Sequence, residues 1–268
     1  MRALESAPTF ALPDTSLWLL GDVHGNTRWL QRALPAMRRF DSKLTTVLQL
    51  GDWWHDVRAA DYWARATGLE RIFVTLGNHE PYGEVTPLLA EHPGHAVRVS
   101  EAVWLLPRPF RFIAGGCTFL SLGGAASADT EYRTEGVDWW VDEEITDPQV
   151  NDAISSGPAE VLLTHESPEL NPVAASQRVI QNRGAERSDD VAAVTATSRH
   201  QVQRVVDATR PRLHAHGHLH VSGQDVAASG TRVVSLGRDD DAGAIARLDL
   251  TDFSVRILTH TDVWHRRR

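Results

Sequence analysis

The stretch Leu17-Trp-Leu-Leu-Gly-Asp-Val-His-Gly-Asn26 decides how this chain is read. Four apolar residues, Leu17 to Leu20, stop abruptly at Gly21-Asp22-Val23-His24-Gly25-Asn26. A short apolar run ended by polar and turn-forming residues reads as a buried strand. The same grammar recurs four times. Thr45 to Leu50 runs into Gly51-Asp52-Trp53-Trp54, and Arg71 to Leu76 runs into Gly77-Asn78-His79-Glu80. Glu160 to Thr164 runs into His165, and Arg210 to Ala215 runs into His216-Gly217-His218-Leu219-His220. Ligands collect at the carboxyl ends of strands in open α/β sheets, so five such exits bring Asp, His and Asn together.

Between the exits lie helix signals. Thr27 to Phe40 carries Trp29, Leu30, Leu34 and Met37 at helical spacing, with Pro35 as a kink or early end. Val57 to Thr67 is helix-like with Gly68 as its stop, and Glu84 to Ala90 predicts a short helix. The middle of the chain changes character. Val103 to Leu106, Arg111 to Ala114 and Thr118 to Leu122 read as short strands. Gly123 to Asp142 reads as a long polar loop and Pro168 to Asp190 as an irregular lid. Pro148 marks a helix start, a further helix is expected from Ser198 to Ala208, and short strands return from Thr231 to Leu258. Strand–helix repeats followed by mixed short strands predict two sheets with helices outside, folded as one domain over residues 1–268.

Composition narrows the classes. Apolar residues are 42% of 268, enough for a sizeable core. The net charge is -8 with no long basic run, which argues against a general nucleic-acid binder. Cys117 stands alone, which excludes an internal disulfide and a thiolate-built metal site; it is expected as a buried strand residue. The first residues lack an apolar signal-peptide core, and no run approaches the ~20 residues a membrane span needs. A cytoplasmic protein without a membrane partner is expected.

Each polar motif is weak alone, but three histidines in five residues rarely arise for packing. Together the exits supply carboxylate, amide oxygen and imidazole, a donor set that suits Mn, Fe, Zn or Ni. A carboxylate shared between two such ions can hold them about 3.5–4 Å apart with a hydroxide between.

In order, GDVHG, GD, GNHE, a later His and GHLH resemble the calcineurin-like metallophosphoesterase superfamily from Asp22 to His220. The resemblance implies an α/β fold: a four-layer α/β/β/α sandwich of two mixed sheets, with a dinuclear metal site at strand C-terminal ends. It assigns Asp22, His24 and His220 to a first ion, Asp52 as the bridge, and Asn78, His165 and His218 to a second. It leaves His79 as the catalytic residue, reaching the leaving group or the phosphate. The implied activity is metal-dependent hydrolysis of phosphomonoesters or phosphodiesters by a metal-bridging hydroxide. GDVHG and GNHE are spelled as in the phosphoprotein phosphatases, but GDWWHDV departs from their GD-x-V-D-R-G. His55 replaces the Asp that should pair with the catalytic His, Asp56 lies one residue further on, and the phosphate-gripping Arg is missing. Arg133, in a stretch like one of bacterial members, is the replacement expected to bind substrate.

A small phosphorylated substrate is the expected partner, with phosphoprotein or nucleic acid as alternatives. A nuclease would carry a basic groove beside the metals. A non-catalytic binding module would have lost ligands, and here every ligand position is filled. Specificity is expected in the loops Gly123 to Asp142 and Pro168 to Asp190. Trp53 and Trp54 read as packing, with one ring lining the cleft as the alternative.

Overall fold

The strand Ser16–Leu20 sets the layering. Its side chains alternate between two apolar environments, as the two-residue period of a strand requires. Leu17 and Leu19 join one buried cluster with Phe119, Leu163 and Leu213, while Trp18 and Leu20 join another with Trp29, Leu30 and Met37. The strand is therefore buried on both faces, one against a second sheet and one against helices. The structure, a computed structural model, describes residues 1–43, 45–54 and 57–264, without the side chains of residues 57, 58, 184–186 and 264.

Among the described residues the strands form one sheet of eight and one of seven. In the larger sheet Ser16–Leu20, Thr46–Gln49, Arg71–Thr75 and Val103–Leu106 run parallel, with antiparallel strands toward both edges. In the smaller sheet Cys117–Leu122, Val161–Thr164, Leu213–His216 and Arg232–Ser235 run parallel. Three apolar clusters separate four layers. The helices Thr27–Phe40 and Val57–Thr67 cover the larger sheet, and the inner faces of the two sheets meet around Phe73, Phe112 and Phe119. On the far side Val150, Val202 and Val205, from the helices Asp147–Ser155 and Asp189–Thr209, cover Leu120, Leu122 and Leu162. This is the mixed two-sheet α/β fold expected. Cys117 is buried at the start of its strand.

Several local expectations need correction. The helix from Thr27 does not end at Pro35 but continues to Phe40. Proline costs about 3 kcal/mol inside a helix. Burial of Leu34 and Met37 against the sheet, each contributing roughly 1.5–3 kcal/mol, outweighs it. The short third helix begins at Tyr82 rather than Glu84. The largest difference is the segment from Pro168 to Asp190. It is not an irregular lid: it contains the helix Ala174–Glu186, and the helix expected at Ser198 already starts at Asp189. Polarity suggested a loop, but Gln, Arg and Ala are good helix formers, and Asp189 and Asp190 favour a helix N-terminus. No described helix is long and apolar enough to cross a membrane.

Candidate metal centre

Three neighbouring parallel strands of one sheet and two of the other end at the same edge. Asp22 and His24 follow Ser16–Leu20, Asp52 follows Thr46–Gln49, and Asn78 and His79 follow Arg71–Thr75. From the second sheet, His165 follows Val161–Thr164, and His218 and His220 follow Leu213–His216. All seven side chains assigned as ligands by resemblance therefore lie at this edge. The ligand atoms of Asp22, His24, Asp52 and His220 fall within 4.8 Å of one another. His220 Nε2 is 3.1 Å from Asp22 Oδ2, and His24 Nε2 is 3.5 Å from Asp52 Oδ2. A second group surrounds the other oxygen of Asp52. His165 Nε2 lies 3.3 Å from Asp52 Oδ1 and 3.0 Å from Asn78 Oδ1, and the rings of His165 and His218 are 5.0 Å apart. Asp52 thus turns one oxygen to each group, as a shared ligand must.

The backbone bends hard to achieve this. His24, Asp52, His218 and His220 all have left-handed φ, at 47°, 54°, 64° and 57°. Such conformations cost of order 1–3 kcal/mol each, so surrounding contacts must over-determine them. The motif glycines make room for ligands from other motifs. A Cβ on Gly51 would lie 2.2 Å from the His165 ring, one on Gly77 2.2 Å from the Asp52 carboxylate, and one on Gly217 2.3 Å from Asp22. Each glycine is the floor beneath a ligand supplied elsewhere in the chain.

Three polar side chains, two of them buried, hold the loops. Glu80 accepts from the backbone N–H groups of Trp53, Trp54 and Gly77, joining the second and third motifs. Gln49 donates to the Gly21 carbonyl and accepts from Gly51 N–H, joining the first and second. Asp239 lies 2.9 Å from His24 Nδ1, so its carboxylate turns Nε2 of that ring toward Asp52, and it also accepts from Asn26. Nδ1 of His165 donates to the Leu50 carbonyl at 2.7 Å, which aims its Nε2 at the centre in the same way. None of the three anchors was identified from sequence. Glu80 reads there as a helix-cap residue, and the one signal for Asp239 is the acidic run Asp239-Asp240-Asp241.

The field of the centre favours positive charge. Burial pulls the His24 imidazole down, yet hydrogen bonds to Asp239 and Asp52 and the charge of Asp22 raise it to about 10. His165 is likewise raised to about 10 against its burial, by Asp52 and Asp22. Asp52 is held well below its usual range despite complete burial, chiefly by His165 and His24. Buried carboxylates that draw protons onto imidazoles would equally hold a divalent cation, so the residues fit a metal site.

His79 borders both groups. Its backbone N–H donates to Asp52 Oδ1 at 2.9 Å, and its ring stacks on Trp54 at 6.0 Å and 18°. Burial lowers its pKa, opposed by Asp52 and reinforced by Arg133. Among the described residues no carboxylate is hydrogen-bonded to its ring. His55 and Asp56 lie outside the described residues. Trp53 is core, whereas Trp54 is the exposed ring beside the centre. Arg133 reaches the centre through Ser127. Its Nη1 donates to Ser127 Oγ at 2.8 Å, and Asn78 Nδ2 donates to the same oxygen at 2.9 Å, leaving Asn78 Oδ1 toward His165. Arg133 also sits 3.8 Å from the buried Glu143 carboxylate. His216 is a neutral core imidazole. Its Nδ1 donates to the Gly217 carbonyl, its Nε2 accepts from Asn171, and burial lowers it to about 4. It anchors the segment after Pro168 rather than a metal ligand.

The fold and the site agree with the relationships of the chain. No curated protein matches it in sequence. Solved structures do match in fold. TT1561 of Thermus thermophilus superposes with a TM-score of 0.53 at 12% identity, over 91% of this chain and 98% of that one. A dimetal phosphatase from Danio rerio superposes with a TM-score of 0.52 at 16% identity, over 89% of this chain and 93% of that one. The family model for calcineurin-like phosphoesterases matches residues 15–222, from the first site-bearing strand past the last site histidine, and the chain belongs to that family.

Proposed function

We propose that this protein is a metal-dependent phosphoric ester hydrolase that holds two ions around Asp52 and acts on small phosphorylated substrates. The observation that carries the reading is the division of Asp52: Oδ2 lies by His24, in a cluster with Asp22 and His220, and Oδ1 lies by His165, which meets Asn78 and packs against His218. Asp22, His24 and His220 would hold one ion, and Asn78, His165 and His218 the other, with Mn, Fe, Zn or Ni matching the donors. When bound, such ions bring the pKa of a water toward neutrality and polarise phosphoryl oxygens.

The chain's own residues then position and neutralise. Asp239 and the Leu50 carbonyl fix the tautomers of His24 and His165 so that their Nε2 atoms serve as donors to metal. Arg133, held through Ser127, supplies a fixed positive charge for the phosphoryl oxygens. His79, beside Asp52 and open to the surface along Trp54, is placed to hand a proton to the leaving oxygen. Because its pKa is lowered, that donation weakens as pH rises.

The test is turnover of p-nitrophenyl phosphate and bis-p-nitrophenyl phosphate with each metal in turn. Turnover with at least one metal is expected, and the ratio of the two rates separates monoesterase from diesterase. No turnover of either ester with any of them would overturn the reading. A substrate with a poor leaving group isolates His79. His79→Ala should slow it more than it slows p-nitrophenyl phosphate, while metal content stays unchanged.

A further inference from the structure

A cavity of about 130 Å³ opens beside His218, on the side of Asn78 and His165. Its walls include Arg183, Arg187 and Arg199, with Ile180 and Leu219 as apolar surface. Arg183 and Arg187 are one helical turn apart on and just past the helix Ala174–Glu186, and Arg199 faces them from the helix Asp189–Thr209. We infer that this cavity is a second anion subsite, and that the substrate is a small molecule carrying two phosphoryl groups. One would lie at Asp52 for cleavage and the other against the three guanidinium groups. This rests on the phosphoesterase reading above and names the substrate class of that same centre.

The charge arrangement is what singles the cavity out. Several other half-buried arginines of the molecule are tied down, and no other cavity gathers three such side chains among the described residues. Arg111 donates to Ser156 and to the Gly157 and Pro158 carbonyls, Arg247 pairs with Asp41 and Asp249, and Arg133 pairs with Asp129 and Glu143. Arg204, further along the same helix as Arg199, pairs with Asp147. Among the described residues, the guanidinium groups of Arg183, Arg187 and Arg199 have neither a hydrogen bond nor a carboxylate within 4.0 Å. All three are partly buried. Burial lowers Arg183, with Arg187 adding to the effect and Glu166 opposing it.

One carboxylate near the cavity, Glu166, acts on both Arg183 and Arg199, but beyond ion-pair distance, and its burial favours the neutral form. Glu166 is fully buried behind His218, 3.9 Å from its Nε2, and one oxygen of its carboxylate lacks a partner. Asp129 and Asp22 act on Arg183 only at longer range. Three like charges converging on a hollow are unfavourable alone and favourable around an anion. Guanidinium forks match the oxygens of a phosphoryl group in particular, and removal from bulk water strengthens such contacts. Ile180 and Leu219 leave an apolar surface for the organic bridge between the two phosphates. The enclosed shape excludes a long polymer.

The experiment separates this subsite from the metal chemistry. Binding of inorganic phosphate to the full-length protein is measured by calorimetry in excess chelator, where only the chain's own residues act. The wild type should bind, and Arg187→Ala combined with Arg199→Ala should bind at least tenfold more weakly while its thermal unfolding is retained. No binding by the chelated wild type, or equal binding by the double variant, would overturn the subsite. Arg183→Lys adds a second variant: losing affinity with charge kept points to fork geometry, and full affinity would remove Arg183 from the subsite. In the metal-loaded enzyme, two substrate pairs are then compared. They are fructose 1,6-bisphosphate against fructose 6-phosphate, and adenosine 3′,5′-bisphosphate against adenosine 3′-monophosphate. The bisphosphate of at least one pair should be preferred by tenfold or more in kcat/KM, and the double variant should erase that preference. Equal rates in both pairs would overturn the substrate class. Failure to turn over either p-nitrophenyl ester with any metal, with retained phosphate binding, would overturn the phosphoesterase reading and leave the anion subsite standing.

Discussion

The two halves of the centre are made of different material. The half around Asp22, His24 and His220 is rich in carboxylate, with Asp22 and Asp52 in front and Asp239 behind. It is also partly open, with the His24 and His220 side chains 19% and 29% exposed. The half around Asn78, His165 and His218 is buried, shares the Asp52 carboxylate, has the buried Glu166 behind His218, and has Arg183 nearby. Charge therefore dominates the first half, and enforced shape the second. A cation in the first is drawn by surrounding negative charge. One in the second would depend on Asp52 and on side chains held by Ser127 and the Leu50 carbonyl.

The strongest way to break this comparison is Asp52→Asn, which removes the group both halves share. Activity should fall on the order of 10³-fold, and metal analysis should find both ions reduced together. Retention of one full equivalent would mean that the halves are independent. Glu80→Ala should come next. It orphans three N–H groups, two of them buried at a cost of about 1–3 kcal/mol each, and frees both loops. Denaturant unfolding should record a loss of about 3 kcal/mol or more; a shift well under that would mean that water replaces the carboxylate.

Asp239→Asn sharpens the contrast, because it should weaken the charge-dominated half alone. The expected change is about 10–100-fold in affinity for one of two ions, read by competition with a chelator. Equal weakening of both ions would contradict the division.

The smallest effect concerns the support beneath the second half. Burial raises the Glu143 carboxyl from 4.5 to about 7, against the nearby Ser127 and Arg133. In the unfolded chain this group loses its proton near 4.5, but in the folded protein only near 7. Between these values the folded state binds more protons. Stability therefore declines as pH rises through the window and stays at the lower level above it. Glu143→Gln keeps the side chain neutral. It should flatten that decline and leave the variant ahead at pH 8 by about 1–3 kcal/mol.

The meeting of Asp22, His24, Asp52, Asn78, His165, His218 and His220 at one sheet edge was legible in the sequence because each follows an apolar run and carries a metal-binding atom. The layering was legible for the same reason, since runs such as Leu17 to Leu20 are too apolar to face water anywhere. What stayed hidden acts at a distance in the chain. Asp239 supports His24 from 215 residues away, and no local pattern encodes that meeting. Glu80 was visible but misread: beside a helix start its carboxylate suggests a cap, and only the folded loop reveals that it reaches back to Trp53 and Trp54. The arginine cavity was hidden behind the polarity of residues 168–190, which looks the same whether a segment is loose or helical.

The origin of the ligands in two sheets has a mechanical meaning. Asp22, His24, Asp52 and Asn78 come from one sheet, and His165, His218 and His220 from the other. Ions held between them would act as cross-links across the sandwich, in a chain whose single cysteine offers no covalent one. The protein's resistance to unfolding would then rise with the free metal concentration around it, as for any ligand that binds only the folded state. Metal scarcity would loosen the joint between the sheets at the edge that carries the candidate centre, and would couple durability to the supply of metal.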